Sequence, residues 1–420
     1  MDVSYWAWLP VGLVVLLIWV IWSIKRARAP TLKVECEWPI DKLTSSLSGL
    51  TLGTAVDGNS VEVYENGAFF DVLIARIRAA ESSVHFETFL WKDGTLGRRL
   101  AAALQDRAQA GKQVRVMLDA TGSKGAGQSV IDQMRHSGCR VKFFHKRGLR
   151  NLGVLNDRDH RKLVVIDGRE AFVGGHCIVD EWMGNAEDGK HYSDVSVHLH
   201  GPIVHSIQGA FSENWCGETG ELFLGDDVFP DLKPVGDVNI HAVFLKPQGS
   251  APTVKILHHT VICLAQKRIW IQNPYFIPEP EAIDAFGEAV KRGVDVRVLM
   301  PSTSGSDNPM VQHAGHRNFE KLLKCGVRLF EYPHTLLHQK IMTVDNVWSA
   351  IGSTNFDDRS FETNDEITMA IRDAALAQRL DAIFEKYVAR ANEIDLERWK
   401  KRGLWHKFKD NAVYVINEFL

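Results

Sequence analysis

The 420-residue sequence lacks a marked excess of either charge, because 49 Lys and Arg residues face 52 Asp and Glu residues. A dedicated nucleic-acid-binding protein usually carries a clear basic excess, so the formal net charge of −3 disfavours that class. The six cysteines include no CxxC pair, a spacing that fits neither a zinc ribbon nor a disulfide scaffold. With 45% apolar and 24% charged residues, the chain has the composition of a globular protein with room for two or three domains.

The sequence also lacks the common signatures of metal and nucleotide sites. It contains no HExxH motif and no carboxylate pair at ligand spacing, so we expect no catalytic metal. The glycine-rich residues 122–127 are not followed by the Lys-Ser/Thr pair of a P-loop. We therefore expect chemistry that needs no cofactor.

A long uncharged run stands at the N-terminus, over residues 3–24. At about 1.5 Å per residue, a helix of this length reaches roughly 33 Å and crosses the ~30 Å hydrocarbon layer of a bilayer. Asp2 precedes the run and Lys25 and Arg26 follow it, whereas a cleaved signal peptide, the alternative, carries its positive charge first. We expect residues 1–30 to form a single transmembrane anchor with a basic flank, and the rest of the chain to be cytoplasmic.

Beyond the anchor, helical and strand patterns alternate. The Ser-, Thr- and Gly-rich segment 31–57 is predicted to be a linker. Residues 70–79 and 94–110 have helical patterns. Residues 84–90 are predicted to form a strand, and residues 114–118 are an apolar, β-branched run typical of a buried strand. This alternation predicts an α/β fold.

Three segments of the first half return in the second half in the same order. They are residues 111–119 and 293–301, residues 138–142 and 326–330, and residues 160–167 and 338–345. The sequence therefore predicts two duplicated lobes, each a mixed sheet flanked by helices, at residues 58–235 and 236–398. Residues 399–420 form a basic tail with aromatic residues, which is expected either to lie on an anionic lipid surface or to pack on the second lobe.

Each lobe contains the pattern H-x-K-x4-D-x6-G. Its members are His160, Lys162, Asp167 and Gly174 in the first lobe, and His338, Lys340, Asp345 and Gly352 in the second. A His and a Lys two residues apart project from the same face of a strand, so both point into one site. The Asp begins a hairpin-turn dipeptide, and small residues (Gly174-Gly175 and Gly352-Ser353) let backbone and substrate approach closely.

Two His and two Lys in one site between the lobes suit phosphoryl-type transfer without a metal. One neutral imidazole can attack phosphorus and form a covalent phosphohistidine. The other, when protonated, can donate to the leaving oxygen. The two ammonium groups stabilise the charge that builds up on the phosphoryl oxygens.

The paired motifs resemble those of the phospholipase D superfamily, and three flanking segments resemble its bacterial cardiolipin synthase branch. These segments are residues 156–162 (NDRDHRK), 273–278 (NPYFIP) and 352–361 (GSTNFDDRSF). The resemblance runs from about residue 58 to the C-terminus. It implies transfer of a phosphatidyl group between two phosphatidylglycerol molecules at the bacterial inner membrane, with lipid and membrane but no nucleic acid as partners.

The resemblance also implies roles for single residues. His160 would be the nucleophile and His338 the general acid and base, while Lys162 and Lys340 bind phosphate. The remaining phosphate-binding residues would be Gly174, Gly175, Gly352, Ser353 and Asn355. Asp167 and Asp345, although part of the catalytic motif, would hold the fold and the Lys–His geometry rather than touch phosphorus.

One position departs from the family pattern, because Cys177 stands where the family usually has an Asn such as Asn355. A thiol is a poor donor, so the first lobe is expected to contribute less to phosphate binding. The neighbouring His176 could substitute for the amide or could serve packing.

Two carboxylates are candidates for orienting the catalytic imidazoles. Asp194 and Glu366 follow the motif His of their lobes by 34 and 28 residues, and each is expected to begin a short strand. Either could favour the charged form of an imidazole. The alternative is a surface carboxylate at the start of a strand.

Three other functions stay open on the sequence alone. A phospholipase D or other head-group transferase would use the same residues with a different acceptor. A nuclease is disfavoured by the net charge and the lipid anchor. A non-enzymatic membrane scaffold is disfavoured because every His, Lys and Asp of the paired motif is present.

Overall fold

Alternating strands and helices account for most of the chain in the computed structural model. It describes residues 8, 10, 12, 13, 15–17, 32–36, 38–145, 157–246, 252–403, 406, 409, 410, 413 and 414. The strands are β1 (Ala55–Glu65), β2 (Ser83–Thr88), β3 (Gln113–Asp119), β4 (Arg140–Phe144), β5 (Lys162–Ile166), β6 (Glu170–Gly174), β7 (Val195–His200), β8 (Val238–Leu245), β9 (Arg268–Gln272), β10 (Asp295–Pro301), β11 (Arg328–Tyr332), β12 (Ile341–Val344), β13 (Trp348–Gly352), β14 (Glu366–Arg372) and β15 (Asn392–Glu393).

The helices connect and cover these strands. They are α1 (Thr44–Leu50), α2 (Ala68–Ala79), α3 (Thr95–Gln109), α4 (Gln128–His136), α5 (Val204–Thr219), α6 (Thr253–Leu264), α7 (Pro280–Lys291), α8 (Pro309–Lys324), α9 (Asp358–Glu362), α10 (Ala374–Val388) and α11 (Leu396–Lys400). Short 3₁₀ turns lie at Ile40–Lys42, Gly122–Ala126 and Asp180–Trp182. The predicted α/β class is confirmed, and the first two helices and strands predicted after the linker are present with ends that differ by at most two residues.

In the described part of the chain, all 15 strands belong to one mixed sheet. The order is β15-β11-β10-β9-β12-β13-β14-β8-β1-β7-β6-β5-β2-β3-β4. Strands β2, β3 and β4 are parallel, whereas β5, β6 and β7 are antiparallel to their neighbours. Because helices cover the sheet, strands such as β2, β5 and β6 are buried along their whole length, even where they contain polar residues.

The two halves of the sheet have the same strand order. From the centre outward, the first half runs β1-β7-β6-β5-β2-β3-β4 and the second runs β8-β14-β13-β12-β9-β10-β11. The central strands β1 and β8 pair antiparallel. Strands β5 and β12, each preceded by one H-x-K motif, therefore occupy corresponding places on either side of the centre.

The hairpins predicted after the two motif strands are confirmed. Asp167 and Gly168 have φ of +54° and +63°, and Asp345 and Asn346 have φ of +53° and +64°. Two consecutive left-handed residues define a type I′ turn, whose twist matches that of the flanking strands. The short polar side chains and the glycine tolerate this conformation.

The prediction of a linker over residues 31–57 is wrong for its second half. Helix α1 occupies Thr44–Leu50, and β1 begins at Ala55, three residues before the predicted start of the first lobe. Ile40 and Leu47 are 1% and 2% exposed, so they anchor this polar segment to the core. The linker prediction relied on the Ser, Thr and Gly content of the segment and overlooked these two apolar residues.

The predicted anchor lies mostly outside the described residues. Of residues 3–24, only residues 8, 10, 12, 13 and 15–17 are described, and these are helical with exposed side chains. No helix among the described residues is both long and apolar enough to cross a bilayer. The chain divides into the units Met1–Glu35 and Cys36–Leu420, and the second unit contains the whole sheet.

The predicted C-terminal tail is described only in part, because residues 404, 405, 407, 408, 411, 412 and 415–420 lie outside the described residues. Trp399, in α11, is 9% exposed. Its ring lies 5.1 Å from the rings of both His316 and Phe319 of α8. The packing alternative therefore holds for this aromatic residue.

Candidate active site

The two H-x-K motifs lie in extended segments that lead into β5 and β12. Lys162 is the first residue of β5, and Lys340 directly precedes β12. The sequence had predicted that the histidines lie within strands, but they lie just before β5 and β12. Each extended segment bonds to the opposite half of the chain: the N–H of His160 donates to the carbonyl of Asp365 at 3.0 Å, and that of His338 to Ser193 at 2.7 Å. These bonds draw both motifs to the boundary between the halves.

Each imidazole is held by a carboxylate of the opposite half. Nδ1 of His160 lies 2.8 Å from Oε1 of Glu366, and Nδ1 of His338 lies 2.7 Å from Oδ2 of Asp194. All four side chains are buried. Because Nδ1 of each ring is bound to a carboxylate, Nε2 is the nitrogen left to react.

The two carboxylates have different surroundings. Asp194 also accepts hydrogen bonds from Nε1–H of Trp182 at 2.8 Å and from the N–H of Val195 at 2.9 Å. Burial by itself would raise the pKa of Asp194, but the nearby His338 and its hydrogen bond lower that pKa to about 2. Asp194 is therefore ionised at every physiological pH.

The surroundings of Glu366 stabilise its ionised carboxylate less than those of Asp194 do. Its second oxygen accepts a short hydrogen bond from the hydroxyl of Ser353. Burial raises the pKa of Glu366 to about 7, against the opposing effects of Lys162 and Ser353. The carboxylate that holds His160 therefore changes its charge near neutral pH, whereas the one that holds His338 does not.

The two lysines are fixed beside the rings. Nζ of Lys162 donates to the carbonyl of His160 at 2.7 Å, and Nζ of Lys340 donates to that of His338 at 2.6 Å. Nζ of Lys340 also lies 2.9 Å from Nε2 of His338. Burial lowers the pKa of Lys340 to about 8. Burial and the neighbouring ammonium groups also lower the pKa of both imidazoles. Such a cationic, buried site suits a phosphodiester anion.

The glycines of the motifs make room for the carboxylate strands. A Cβ on Gly175 would lie 2.2 Å from Oδ1 of Asp194, and one on Gly174 would lie 2.1 Å from Oγ of Ser196. A Cβ on Gly352 would lie 2.1 Å from the carbonyl of Ile367. The neighbouring strand of the same half therefore makes the close approach that these small residues were predicted to allow.

Ser353 and Asn355 differ in what they contact. Ser353 binds Glu366 and accepts the N–H of Ile367 at 3.0 Å, so it positions the carboxylate. Asn355 is buried, and its Oδ1 has no partner among the described residues. A phosphate oxygen would need the Nδ2–H donors of Asn355, whereas the hydroxyl of Ser353 already donates to Glu366.

Asp167 and Asp345 lie away from the imidazoles, at the other ends of their strands. Asp167 accepts the backbone N–H groups of Glu81, Ser82 and Ser83 at 2.7–2.9 Å. Asp345 accepts those of residues 266–268 at 2.7–3.0 Å. Five residues of strand separate Asp167 from Lys162, or about 16 Å. Although the sequence placed both in the catalytic motif, their contacts are those of residues that hold the fold.

His176 and Cys177 are packed into the first half. The ring of His176 is bound on both nitrogens, at 2.7 Å from Oγ of Ser196 and 3.0 Å from the carbonyl of Asn66, and it stacks on Phe69 at 4.4 Å. This is the packing alternative. Burial raises the pKa of the Cys177 thiol to about 11, so the thiol stays neutral.

Sequence reasoning missed a buried ionic cluster beneath His160. Arg161 is fully buried; it donates to the carbonyl of Ala210 at 3.1 Å and lies 3.9 Å from Oδ2 of Asp365. Burial raises the pKa of Glu87 to about 7 and raises that of Asp159, and the charge of Arg161 opposes both shifts. An Arg between the His and Lys of the motif, where the second motif has Gln339, was the available signal.

The second half has no such cluster at the corresponding positions. Gln339 replaces Arg161, Gln272 replaces Glu87, and Ser193 replaces Asp365. Gln339 donates to Oγ of Ser193 at 2.7 Å. The first H-x-K motif therefore packs on buried charged residues, whereas the second packs on uncharged residues at the corresponding positions.

Two side-chain groups among the described residues have the composition of metal sites. They are Glu170 with His198 and His200, and His313 with His316 and Asp410. Neither includes a residue of the H-x-K motifs. The carboxylate of Glu170 is already bound by Arg76 through both oxygens.

A family model described as cardiolipin synthase, PLD-like domain, matches residues 73–199 and 259–388. Each matched segment contains one H-x-K motif and one of the two orienting carboxylates. The chain belongs to the cardiolipin synthase family of PLD-like proteins.

Curated relatives in the cardiolipin synthase family cover most of the chain. The chain is 37% identical over 341 residues to cardiolipin synthase A of Pseudomonas putida, covering 81% of this chain and 70% of that protein. It is 31% identical over 366 residues to a cardiolipin synthase of Staphylococcus aureus strain N315, covering 86% of this chain and 74% of the relative.

Solved structures show the same fold. A phosphatidylserine synthase of Haemophilus influenzae Rd KW20 superposes with a TM-score of 0.69 at 13% identity, covering 90% of this chain and 100% of that chain. A polyphosphate kinase of Porphyromonas gingivalis superposes with a TM-score of 0.54 at 15% identity, covering 88% of this chain and 52% of that chain. At these identities the likeness concerns the fold alone.

Proposed function

We propose that the protein transfers a phosphatidyl group from one phosphatidylglycerol molecule to a second, forming cardiolipin and releasing glycerol. The observation that carries this proposal is the pair of buried imidazoles, each bound through Nδ1 to a carboxylate of the opposite half. One site then holds two acid–base groups and two ammonium groups. In a chain of the cardiolipin synthase family, this arrangement suits a double displacement at a phosphodiester.

In the first step, Nε2 of neutral His160 attacks the phosphorus of the bound phosphatidylglycerol. The new P–N bond forms as the P–O bond to glycerol breaks, and protonated His338 gives its proton to the departing oxygen. Glu366 stabilises the positive charge on the phosphorylated ring of His160. Lys162 and Lys340 stabilise the negative charge on the phosphoryl oxygens.

In the second step, a hydroxyl group of another phosphatidylglycerol gives its proton to the now neutral His338. The oxygen forms the new P–O bond as the P–N bond breaks and its electron pair returns to His160. Both imidazoles then have their starting protonation, so the cycle balances without a cofactor.

The two carboxylates support this division of roles. Burial and Lys340 lower the pKa of His338. Asp194, a permanent anion whose pKa is lowered to about 2, opposes that shift and so favours the protonated imidazole. Glu366, whose pKa is raised to about 7, carries less charge before the reaction and so favours a neutral His160. The motifs themselves are alike and do not distinguish the nucleophile.

We also place the catalytic halves at the cytoplasmic face of a bacterial inner membrane, held there by residues 3–24. The uncharged run, its basic flank and the lipid substrate support this placement. The common strand order supports the inference that the two halves are duplicated lobes.

A product assay with the full-length protein in detergent tests the proposal. With phosphatidylglycerol as the sole lipid and EDTA present, we expect cardiolipin and glycerol in equal amounts. Phosphatidic acid without cardiolipin would instead mean that water is the acceptor, and the transfer proposal would fail. The matched control, His160→Ala, is expected to lose at least about a hundredfold in rate.

A further inference from the structure

The aromatic neighbours of the two imidazoles differ. Next to His160 lies the ring of Phe89, with its centroid at 5.0 Å. Next to His338 lies Trp182, at 5.1 Å, and the half-buried Tyr192 packs on Trp182 at 4.8 Å. The hydroxyl-bearing side chain is therefore on the side of His338, which handles the leaving and the attacking alcohols in the proposed reaction.

A tyrosine–carboxylate pair lies at the same edge of the sheet. The hydroxyl of Tyr275 donates to Oδ1 of Asp307 at 2.6 Å. Tyr275 follows the end of β9, and Asp307 lies between the end of the neighbouring parallel strand β10 and α8. Because β12 runs antiparallel to β9, with Ile341 opposite Gln272, the end of β9 lies beside Lys340.

The backbone fixes this pair to the second motif. The N–H of Tyr275 donates to Oδ1 of Asn273 at 3.2 Å, and the N–H of Phe356 donates to the carbonyl of Tyr275 at 3.2 Å. Phe356 follows Asn355 directly. Tyr275 is thus joined to the segment that carries Ser353 and Asn355, while its partner Asp307 remains exposed.

The negative charge of Asp307 acts on tyrosine hydroxyls of both halves. It raises the pKa of Tyr275 after the larger effect of burial, and it likewise raises the pKa of Tyr192, which belongs to the first half. The carboxylate therefore lies near hydroxyl groups from both sides of the boundary. In the first half, the position that corresponds to Tyr275 holds the apolar Leu90, since the bridge of Trp91 to Ile178 corresponds to that of Phe276 to Phe356.

We propose that Tyr275 and Asp307 bind the hydroxyl groups of the acceptor, so that a polyol attacks the phosphatidyl group in preference to water. The inference rests on the proposed function. Asp307 accepts a hydrogen bond from the acceptor hydroxyl that does not react, and the oxygen of Tyr275 offers a second acceptor. The neighbouring hydroxyl then gives its proton to His338 and forms the P–O bond. The recognised chemical class is an alcohol with adjacent hydroxyl groups, such as the glycerol head group.

The test measures how the phosphatidyl group is divided between acceptors. Full-length protein, Asp307→Asn and Tyr275→Phe are each given phosphatidylglycerol, and cardiolipin, phosphatidic acid and total lipid consumed are measured. A hydrogen bond to a charged group contributes about 1.5–3 kcal/mol, so we expect the ratio of cardiolipin to phosphatidic acid to fall roughly tenfold or more in Asp307→Asn. Release of the first glycerol, followed in a single turnover, should change much less than cardiolipin formation, because the first step does not need the acceptor.

A comparison of soluble acceptors tests the recognised class directly. Labelled glycerol entering phosphatidylglycerol is compared with phosphatidylpropanol formed from 1-propanol, which has no second hydroxyl group. Wild type should prefer glycerol, and Asp307→Asn should lose that preference. The matched control is Tyr64→Phe, which removes a hydroxyl that donates to Glu62 on β1, outside the site.

Two results would overturn the proposal. One is an unchanged product ratio and an unchanged acceptor preference in both active variants. The other is an equal loss of cardiolipin and phosphatidic acid, which would place the pair in the first step. A wild-type protein that consumes no phosphatidylglycerol would instead refute the proposed function, so the two failures are distinguishable.

Discussion

At the scale of single residues, the two catalytic imidazoles differ through the carboxylates that hold them. Asp194 has three further contacts that favour its charge or fix its position: Trp182, Val195 and the close approach of Gly175. The carboxylate of Glu366 accepts a hydrogen bond from the hydroxyl of Ser353, and the hydroxyl of Ser360 also lowers its pKa. The sequence motif is identical on both sides, yet only the carboxylate of His160 titrates near neutrality.

This difference predicts a pH dependence of phosphohistidine formation. Glu366 stabilises the charged ring of His160 only when it is ionised, so in single-turnover experiments the rate should fall as the pH decreases through about 7. His160 does not contribute to this fall, because burial and the lysines lower its pKa well below the usual value. In Glu366→Gln we expect phosphohistidine formation to be about 10- to 100-fold slower, with no fall in rate as the pH decreases through about 7.

The control for this profile is Asp194→Asn. This variant should also react slowly, but its rate should still fall below about pH 7, because Glu366 is present. If the rate of Glu366→Gln fell in the same way, the titration would belong to another group.

The residue types of the site could be predicted from the sequence, but their partners could not. Spacing placed His160 with Lys162, and His338 with Lys340, in one site. The pairing of His160 with Glu366 and of His338 with Asp194 depends on which ends of strands meet across the boundary, and local spacing carries no information about that. Tyr275 and Asp307 were missed for the same reason, because 31 residues separate them and one hydrogen bond joins them.

At the scale of elements, the strands that bring in the carboxylates pack unusually closely on the motif hairpins. Strand β6 ends at Gly174, next to Gly175, and β7 begins one residue after Asp194. A side chain on Gly175 would occupy the position of the Asp194 carboxylate. The glycine therefore acts on His338 through the neighbouring strand.

Gly175→Ala is expected to be destabilised by about 1–3 kcal/mol, because overpacking displaces a buried side chain. It should also lose transfer activity through the displaced Asp194. The measurement is a urea midpoint together with the rate of cardiolipin formation. Gly209→Ala in α5 is the matched control, because its Cβ would meet no atom within 4 Å. If both variants had wild-type stability and activity, the close contact between Gly175 and Asp194 would not be required for transfer.

Elements with strong periodicity were predictable, and elements whose burial depends on a few residues were not. The buried strands β2 and β3 and the helices α2 and α3 stand out in the sequence because their apolar residues recur. Helix α1 did not, since Leu47 is its only buried apolar residue. Strand β1 consists mostly of half-buried positions, and its two buried residues, Gly58 and Asn59, are typical of a turn.

At the scale of the whole described unit, one sheet joins both halves through β1 and β8. Backbone bonds from His160 to Asp365 and from His338 to Ser193 cross the same boundary. One core cluster also includes residues from both halves, such as Val197 and Ile367. Neither half can therefore unfold without exposing part of the other.

We expect the two halves to unfold in one cooperative transition, although chains of this length often unfold in steps. Urea unfolding of the full chain in detergent, followed by far-UV circular dichroism and by tryptophan fluorescence, should give coincident curves. The fluorescence reports on both halves, through Trp91 and Trp215 in the first and Trp270 and Trp348 in the second. Two separated transitions would show that the cross-boundary bonds contribute little to stability.

The exchange of carboxylates across the boundary has a consequence for how the two motifs can vary. In a symmetric dimer of identical chains, every substitution near one imidazole is repeated near the other. Here both halves are encoded separately within one polypeptide, so a codon change in one half leaves its counterpart untouched. Arg161 opposite Gln339, Cys177 opposite Asn355 and Leu90 opposite Tyr275 are differences that such a dimer could not carry. A single gene thus lets one imidazole specialise for bonding to phosphorus and the other for moving protons.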